Sequence, residues 1–345
     1  MKLSKEAIHR IETQLAILKK NKDRLIIDAD THISDIENMH SEYKKTLSST
    51  DHYYHGKPVS CEQLIDEMDM AGVNMSLSWQ NPATTMYSND PVKNFNALLE
   101  SNRYIYNCSV KYPDRIIPAG WTDPSALSLD LAIKLIEICV KDFGFAIVKL
   151  NPAQNAFPID SDVVKIVVNK IIEAGAIPAF HFGADTEYTP ASGLKNISKS
   201  IYPNPLIAVH MGGGGSAYVD AEELYHEARE LGLKQENIKY VLSAKRDTHM
   251  ENDLITYTLA KGLAQKNLFC ASDAPYGRMT WNFGGFREMF KSLMQGEAHT
   301  DSRLQENPSA FTEEIVQGFL GSNFAEFVIE LYESILSKAS KVTIN

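Results

Sequence analysis

Four residues in this sequence, Asp30, His32, His181 and Asp273, have the donor chemistry of a divalent-ion site. They stand at the ends of short apolar runs, LIIDADTH, IPAFH and LFCASD. Asp28, Asp30 and His32 alternate along the first run, so a strand would set all three on one face. Two carboxylates and two imidazoles suit one borderline divalent ion: zinc first, with manganese, iron and cobalt as alternatives. Singly, each residue has a plainer role. Asp30 or His32 alone would cap or hydrogen-bond, and Asp273, in the stretch SDAP, would start a turn. Their recurrence at the same end of separate runs is what joins them into a site.

The elements that would position them are legible as a repeat. Strand-like runs end at Asp30, Trp79, Trp121, Leu150, His181, His210, Ser243 and Asp273. The last five spacings, 29, 31, 29, 33 and 30 residues, are nearly bare strand–helix units, which need ~30 residues. The first two, 49 and 42, carry insertions near residues 33–58 and 80–90. Helical periodicity fills the intervals at 61–71, 127–142, 161–174 and 250–264. Eight such units predict an α/β protein built as a (β/α)8 TIM barrel, whose strand ends meet at one rim. In that fold Asp30 and Asp273 converge across the whole chain. Residues 1–23 read as an N-terminal helical extension, with Ile8, Ile11, Leu15 and Leu18 at helical spacing. Residues 24–345 read as the barrel with its C-terminal helices.

Composition narrows the functions. Hydrophobic residues are 44% and charged residues 23% of the chain, the balance of a soluble globular protein. A net charge of −10 argues against a nucleic-acid partner, which asks for a basic face. No apolar run approaches the ~20 residues of a membrane span. The N-terminus lacks an apolar signal core, and Cys61, Cys108, Cys139 and Cys270 form no CxxC pair, so a reducing cytoplasm is expected.

The motifs, in order, resemble the amidohydrolase-related family, specifically its aminocarboxymuconate-semialdehyde decarboxylase-like branch. IIDADTH looks like the first-strand metal motif, GFAIVKLNP like the fourth-strand segment and AFHFG like the fifth-strand ligand. IAVHMGGG, LFCASDAPYG and IVQGFLGSNFAEF are similar to the sixth-strand histidine, the terminal aspartate motif and the closing helix. The resemblance covers roughly residues 24–330. It implies that His210 moves a proton near the ion, with a fourth imidazole ligand or a buried structural histidine as alternatives. It also implies that Asp273 serves both ion and proton. Asp30-Thr31-His32 departs from the commoner His-x-His, as in several decarboxylases of the branch. The extra negative charge should make a metal-bound water less acidic. Lys149 is expected as a hydrogen-bonded structural lysine, a carbamylated bridge between two ions being the alternative. Members of the branch are often dimers, and the terminal helix offers an apolar face for a homodimer.

Two reactions follow from this resemblance. The first is metal-dependent hydrolysis of a small amide, lactone or ester. The alternative is non-oxidative decarboxylation of an aromatic or unsaturated carboxylic acid. Either takes a small-molecule substrate. Trp79, Trp121 and Tyr276 are candidates to wall its pocket, and Arg246 and His249 to hold its carboxylate; rim aromatics and plain surface residues are the competing readings. His52 and His55 are candidates for a lid, or simply solvated. The run Gly212–Gly215 makes room for a ligand carboxylate or a chain reversal rather than a phosphate loop.

Overall fold

The computed structural model describes residues 2–49, 55–214 and 222–340. Its strands are β1 (Ile27–Ile33), β2 (Met75–Gln80), β3 (Ile116–Pro118), β4 (Gly120–Trp121) and β5 (Ile147–Leu150). They continue with β6 (Ile177–Gly183), β7 (Leu206–Gly212), β8 (Ile238–Leu242) and β9 (Leu268–Cys270). All neighbours pair in parallel, in the orders β1-β2-β3 and β4 through β9. β3 and β4 are one barrel strand broken at Ala119, so eight strand positions result, as the spacing predicts. The ring closes where His32 N donates to Ala274 O at 2.6 Å and Thr31 bridges to Ala274.

Burial explains why these runs are strands. Every residue of β1, β2, β5, β6, β7 and β9 is buried, the pattern of parallel strands covered by helices outside and side chains within. The helices Cys61–Ala71, Leu129–Glu137 and Asp162–Glu173 occupy their expected places. The expected helix at 250–264 is instead split, because Lys261, at φ 59°, breaks Asp247–Ala260 from Gly262–Lys266. The insertion after β1 contains the helix Ser41–Ser49. His52 and Gly215 lie outside the described residues.

The first and last helices among the described residues meet. The helix Lys5–Asn21 packs against the closing helix Asn323–Ser340, and the Tyr332 hydroxyl donates to Gln14 Oε1 at 2.5 Å. Arg10 Nε donates to Phe143 O at 3.0 Å, tying the same helix to the segment before β5. All four cysteines are buried free thiols. Among the described residues, no helix is long and apolar enough to cross a membrane.

Two positions give tests of the fold. A Cβ on Gly321 would lie 2.0 Å from Leu25 O, so only glycine lets the closing segment reach the start of β1. Gly321→Ala should cost about 1–3 kcal/mol in urea denaturation. After β4, Asp123 Oδ1 accepts from Ser125 N at 2.8 Å and Ala126 N at 3.0 Å. Burial pushes its carboxyl up to about 6, against those hydrogen bonds. Because the folded pKa exceeds the unfolded one, its stabilisation is full below pH ~4 and lost as pH rises through ~6. Asp123→Asn should remove a fall on the order of 3 kcal/mol, read by comparing both proteins at pH 4 and 7.

Candidate metal centre

β1 carries Asp30 and His32 to the C-terminal mouth, and the loop after β9 brings Asp273 beside them. β9 ends at Cys270, so Asp273 is not a strand residue as the sequence suggested. It sits on a turn at φ 59°, a left-handed conformation that aspartate tolerates better than most side chains. Ser272 holds the turn: its N donates to Asp28 Oδ1 at 3.0 Å and its hydroxyl donates to Asp28 Oδ2. Burial pushes the Asp28 carboxyl up to about 8. Asp28 is thus the member of the alternating trio that braces the mouth from behind.

His32 Nε2 lies 3.7 Å from Asp30 Oδ1 and 3.5 Å from Asp273 Oδ1. Ligand atoms of these three residues lie within 4.8 Å of one another, the one such group among the described residues. The fit to a divalent ion is supported from behind. His32 Nδ1 faces Gln80 O at 2.7 Å, and a carbonyl only accepts, so the proton is on Nδ1 and Nε2 presents its lone pair.

Asp30 is fully buried and tied on both oxygens. Oδ1 accepts from Trp79 Nε1 at 2.9 Å and lies 3.4 Å from Lys149 Nζ, while Oδ2 accepts from Ser243 Oγ at 3.0 Å. Burial opposes its charge, but the Lys149 ammonium and the Ser243 hydroxyl favour it, and the pKa is drawn down to about 2. Lys149 is itself only 1% exposed, and burial lowers its pKa. Its ammonium stands 3.9 Å from the Trp79 ring centre and 5.4 Å from that of Trp121. Those two tryptophans therefore back the lysine rather than wall the cavity.

His210 Nδ1 faces Ser243 Oγ at 2.8 Å. Since Ser243 gives its proton to Asp30, it must accept from His210, which leaves His210 Nε2 with a lone pair. Burial and then the neighbouring His181 push the His210 pKa down to about 3; burial and then Lys149 do the same for His32. Asp273 is raised well above the carboxylate range by burial and by Asp30. His181 does not join the group of three. Its Nε2 instead faces Asp185 Oδ1 at 2.8 Å, and its ring lies 4.7 Å from that of His210.

A cavity of about 340 Å³ opens over these groups, lined among others by His32, Lys149, His181, His210, Asp273 and Tyr276. Tyr276 Oη donates to Asn81 Oδ1 at 2.8 Å and accepts from Ala83 N at 3.1 Å. His55 also lines the cavity, its Nδ1 2.7 Å from Tyr276 O. Gly214 lines it too, where Gly214 N donates to Ala244 O at 2.6 Å in a tight reversal. Arg246 and His249 are not among the lining residues; Arg246 is exposed and His249 pairs with Glu222 at 3.1 Å.

Asp185, Ser243 and the Lys149–Asp30 contact escaped the sequence reading. Asp185 had a signal, a carboxylate four residues beyond a strand-end histidine in HFGAD. Ser243 had none, since a serine at a strand end is unremarkable until its neighbours are known.

No protein-family model matches the chain, and no curated protein matches it. Solved structures do. A 5-carboxyvanillate decarboxylase from Novosphingobium aromaticivorans, complexed with manganese and 4-hydroxy-3-methoxy-5-nitrobenzoic acid, is 14% identical at a TM-score of 0.60. The match covers 89% of this chain and 96% of that one. A 2,6-dihydroxybenzoate decarboxylase bound to 2,6-dihydroxybenzoate is 13% identical at 0.58, over 89% and 99% of the two chains. A 4-oxalomesaconate hydratase from Rhodopseudomonas palustris is 16% identical at 0.54, over 92% and 100%. At these identities the likeness is one of fold, and it is the barrel that the strand spacing predicts.

The buried pair gives a stability test. Lys149→Met leaves Asp30 without its cation and should cost about 3–5 kcal/mol. Adding Asp30→Asn should recover most of that loss, measured as a double-mutant cycle by urea denaturation.

Proposed function

We propose that this protein is a metal-dependent lyase of the amidohydrolase type. In this reading it removes carbon dioxide from a small hydroxylated aromatic or unsaturated carboxylic acid. The observation that carries the reading is the floor of the cavity. Asp30, His32 and Asp273 gather there as a cation-binding group, with the buried Lys149 ammonium lining the same cavity. Such a floor suits an anionic substrate. Two of the structural neighbours are decarboxylases and a third is a hydratase, so they favour lyase chemistry over hydrolysis of an amide, lactone or ester.

Asp30, His32 and Asp273 would hold the ion; His181, which stands outside that group and faces Asp185, would have to turn toward it to serve as a fourth ligand. A bound divalent ion supplies Lewis acidity toward a substrate carboxylate and its neighbouring oxygen. His210, its Nδ1 proton fixed on Ser243, offers Nε2 to accept and return a proton. Asp273, at the rim, is placed to deliver a proton to the ring or alkene carbon that loses its carboxylate. Lys149 neutralises Asp30, so that this carboxylate does not repel an entering anion. Tyr276, locked between Asn81 and Ala83, gives the cavity a fixed aromatic wall.

The test is a panel of hydroxybenzoates, muconate-like acids, lactones and amides, followed by carbon dioxide release and by oxygen incorporation from labelled water. Carbon dioxide from an acid of the first two classes is the expected result. An acid product carrying labelled oxygen, with no carbon dioxide, would move the assignment to hydrolysis. Purified protein should hold one divalent ion per chain by elemental analysis. His32→Ala should weaken its binding at least ~10-fold, and full retention would sink the metal centre.

A further inference from the structure

Asn151 lines the cavity and has no part in the reaction proposed above. It closes the run AIVKLN, two residues beyond Lys149, and alternation along an extended chain puts the two on one face. Both are found among the residues that line the cavity. The spacing sets Asn151 roughly 6–7 Å farther along the strand direction than the lysine, toward the mouth.

Its amide is oriented locally. Oδ1 accepts from Gln154 N at 3.1 Å and so caps the short helix Pro152–Asn155. A backbone N–H only donates, which fixes the oxygen there and leaves Nδ2 as the remaining end of the amide. Nδ2 has no acceptor among the described residues, and it is not sealed away from solvent as the unpartnered Gln154 Oε1 and Asn155 Nδ2 are. Asn151 is only 7% exposed, and the open space it borders is the cavity. The wall around it is pinned. Gln154 Nε2 donates to Pro82 O at 2.8 Å, and Ala83 N donates to Tyr276 Oη at 3.1 Å.

We propose that Asn151 is a specificity-determining residue, its Nδ2 donating to a second oxygen that the acid carries away from its carboxylate. This inference rests on the aromatic-acid reading above and narrows its substrate class. With the carboxylate held at the floor by the cation-binding group, Asn151 stands about a ring's width up the wall. It selects ring acids with an acceptor oxygen across the ring from the carboxylate. An acid with a methylene in that place would bury the amide unpaired, and a donor left unpaired discriminates strongly.

Calorimetric titration of the full-length protein, loaded with manganese(II), tests this with pairs of equal shape. The probes are 2-hydroxy-4-methoxybenzoate against 2-hydroxy-4-ethylbenzoate, and the corresponding pair substituted at ring position 5. Wild type should prefer the methoxy member of one pair at least ~10-fold. Asn151→Asp keeps the oxygen that caps Gln154 N and removes the donor, so a merely structural role survives it. Its added charge weakens both acids of a pair alike, and the ratio between them should fall to within about threefold. Wild type binding both members of each pair equally would overturn the assignment and leave the aromatic-acid reading standing. A preference that persists in Asn151→Asp would also overturn it. Wild type binding none of the probes would take down the aromatic-acid reading and this inference together.

Discussion

The buried carboxylate of Asp30 is the constraint on which the mouth of this barrel depends. A charge with no exposure is tolerable only if its oxygens are fully partnered. Here the partners come from three other strand ends: Trp79 from β2, Lys149 from β5 and Ser243 just beyond β8. One side chain therefore cross-links the rim. Through Ser243 it also fixes the proton of His210, so the electrostatics of the floor and the hydrogen-bonding state of a reactive imidazole are one network.

That network explains why the site can be both rigid and strained. His210, Met211, Ala244 and Asp273 all have positive φ at the strand ends. Such conformations cost on the order of 1–3 kcal/mol each and persist only when the surroundings over-determine them. Ser272 clamped to Asp28, and Gly214 donating to Ala244 O, supply that determination. The strain lies where side chains must turn from the strand direction into the cavity, and the strand pairing shifts register there too, between Asp28 and Thr31 and between His181 and Gly183.

Legibility in the sequence followed the range of the interactions. The strand period, the strand-end histidines and the helices at 61–71 and 161–174 were readable because hydrophobic periodicity is local. The break at the buried Ala119 was not, since no local pattern marks it; nor was the split at Lys261, an exposed residue at φ 59° whose one local sign was the glycine that follows it. Among the residues proposed for substrate, Tyr276 lines the cavity, whereas Trp79 and Trp121 stand behind Lys149. An aromatic at a strand end does not announce on which side of the rim its ring will lie.

The sequence by itself determined the barrel, the end of it that carries chemistry, and the residue types Asp30, His32, His181, His210 and Asp273 that gather there. Those follow from a repeat of about thirty residues and from alternation along a strand, which require no knowledge of distant neighbours. Only the tertiary structure decided how these residues divide among themselves. Asp30, His32 and Asp273 form the tight group, His210 is tied to Ser243, and His181 is paired with Asp185. The physical reason is that a hydrogen-bond partner more than two hundred residues away, as Ser243 is for Asp30, exists only once the ring has closed.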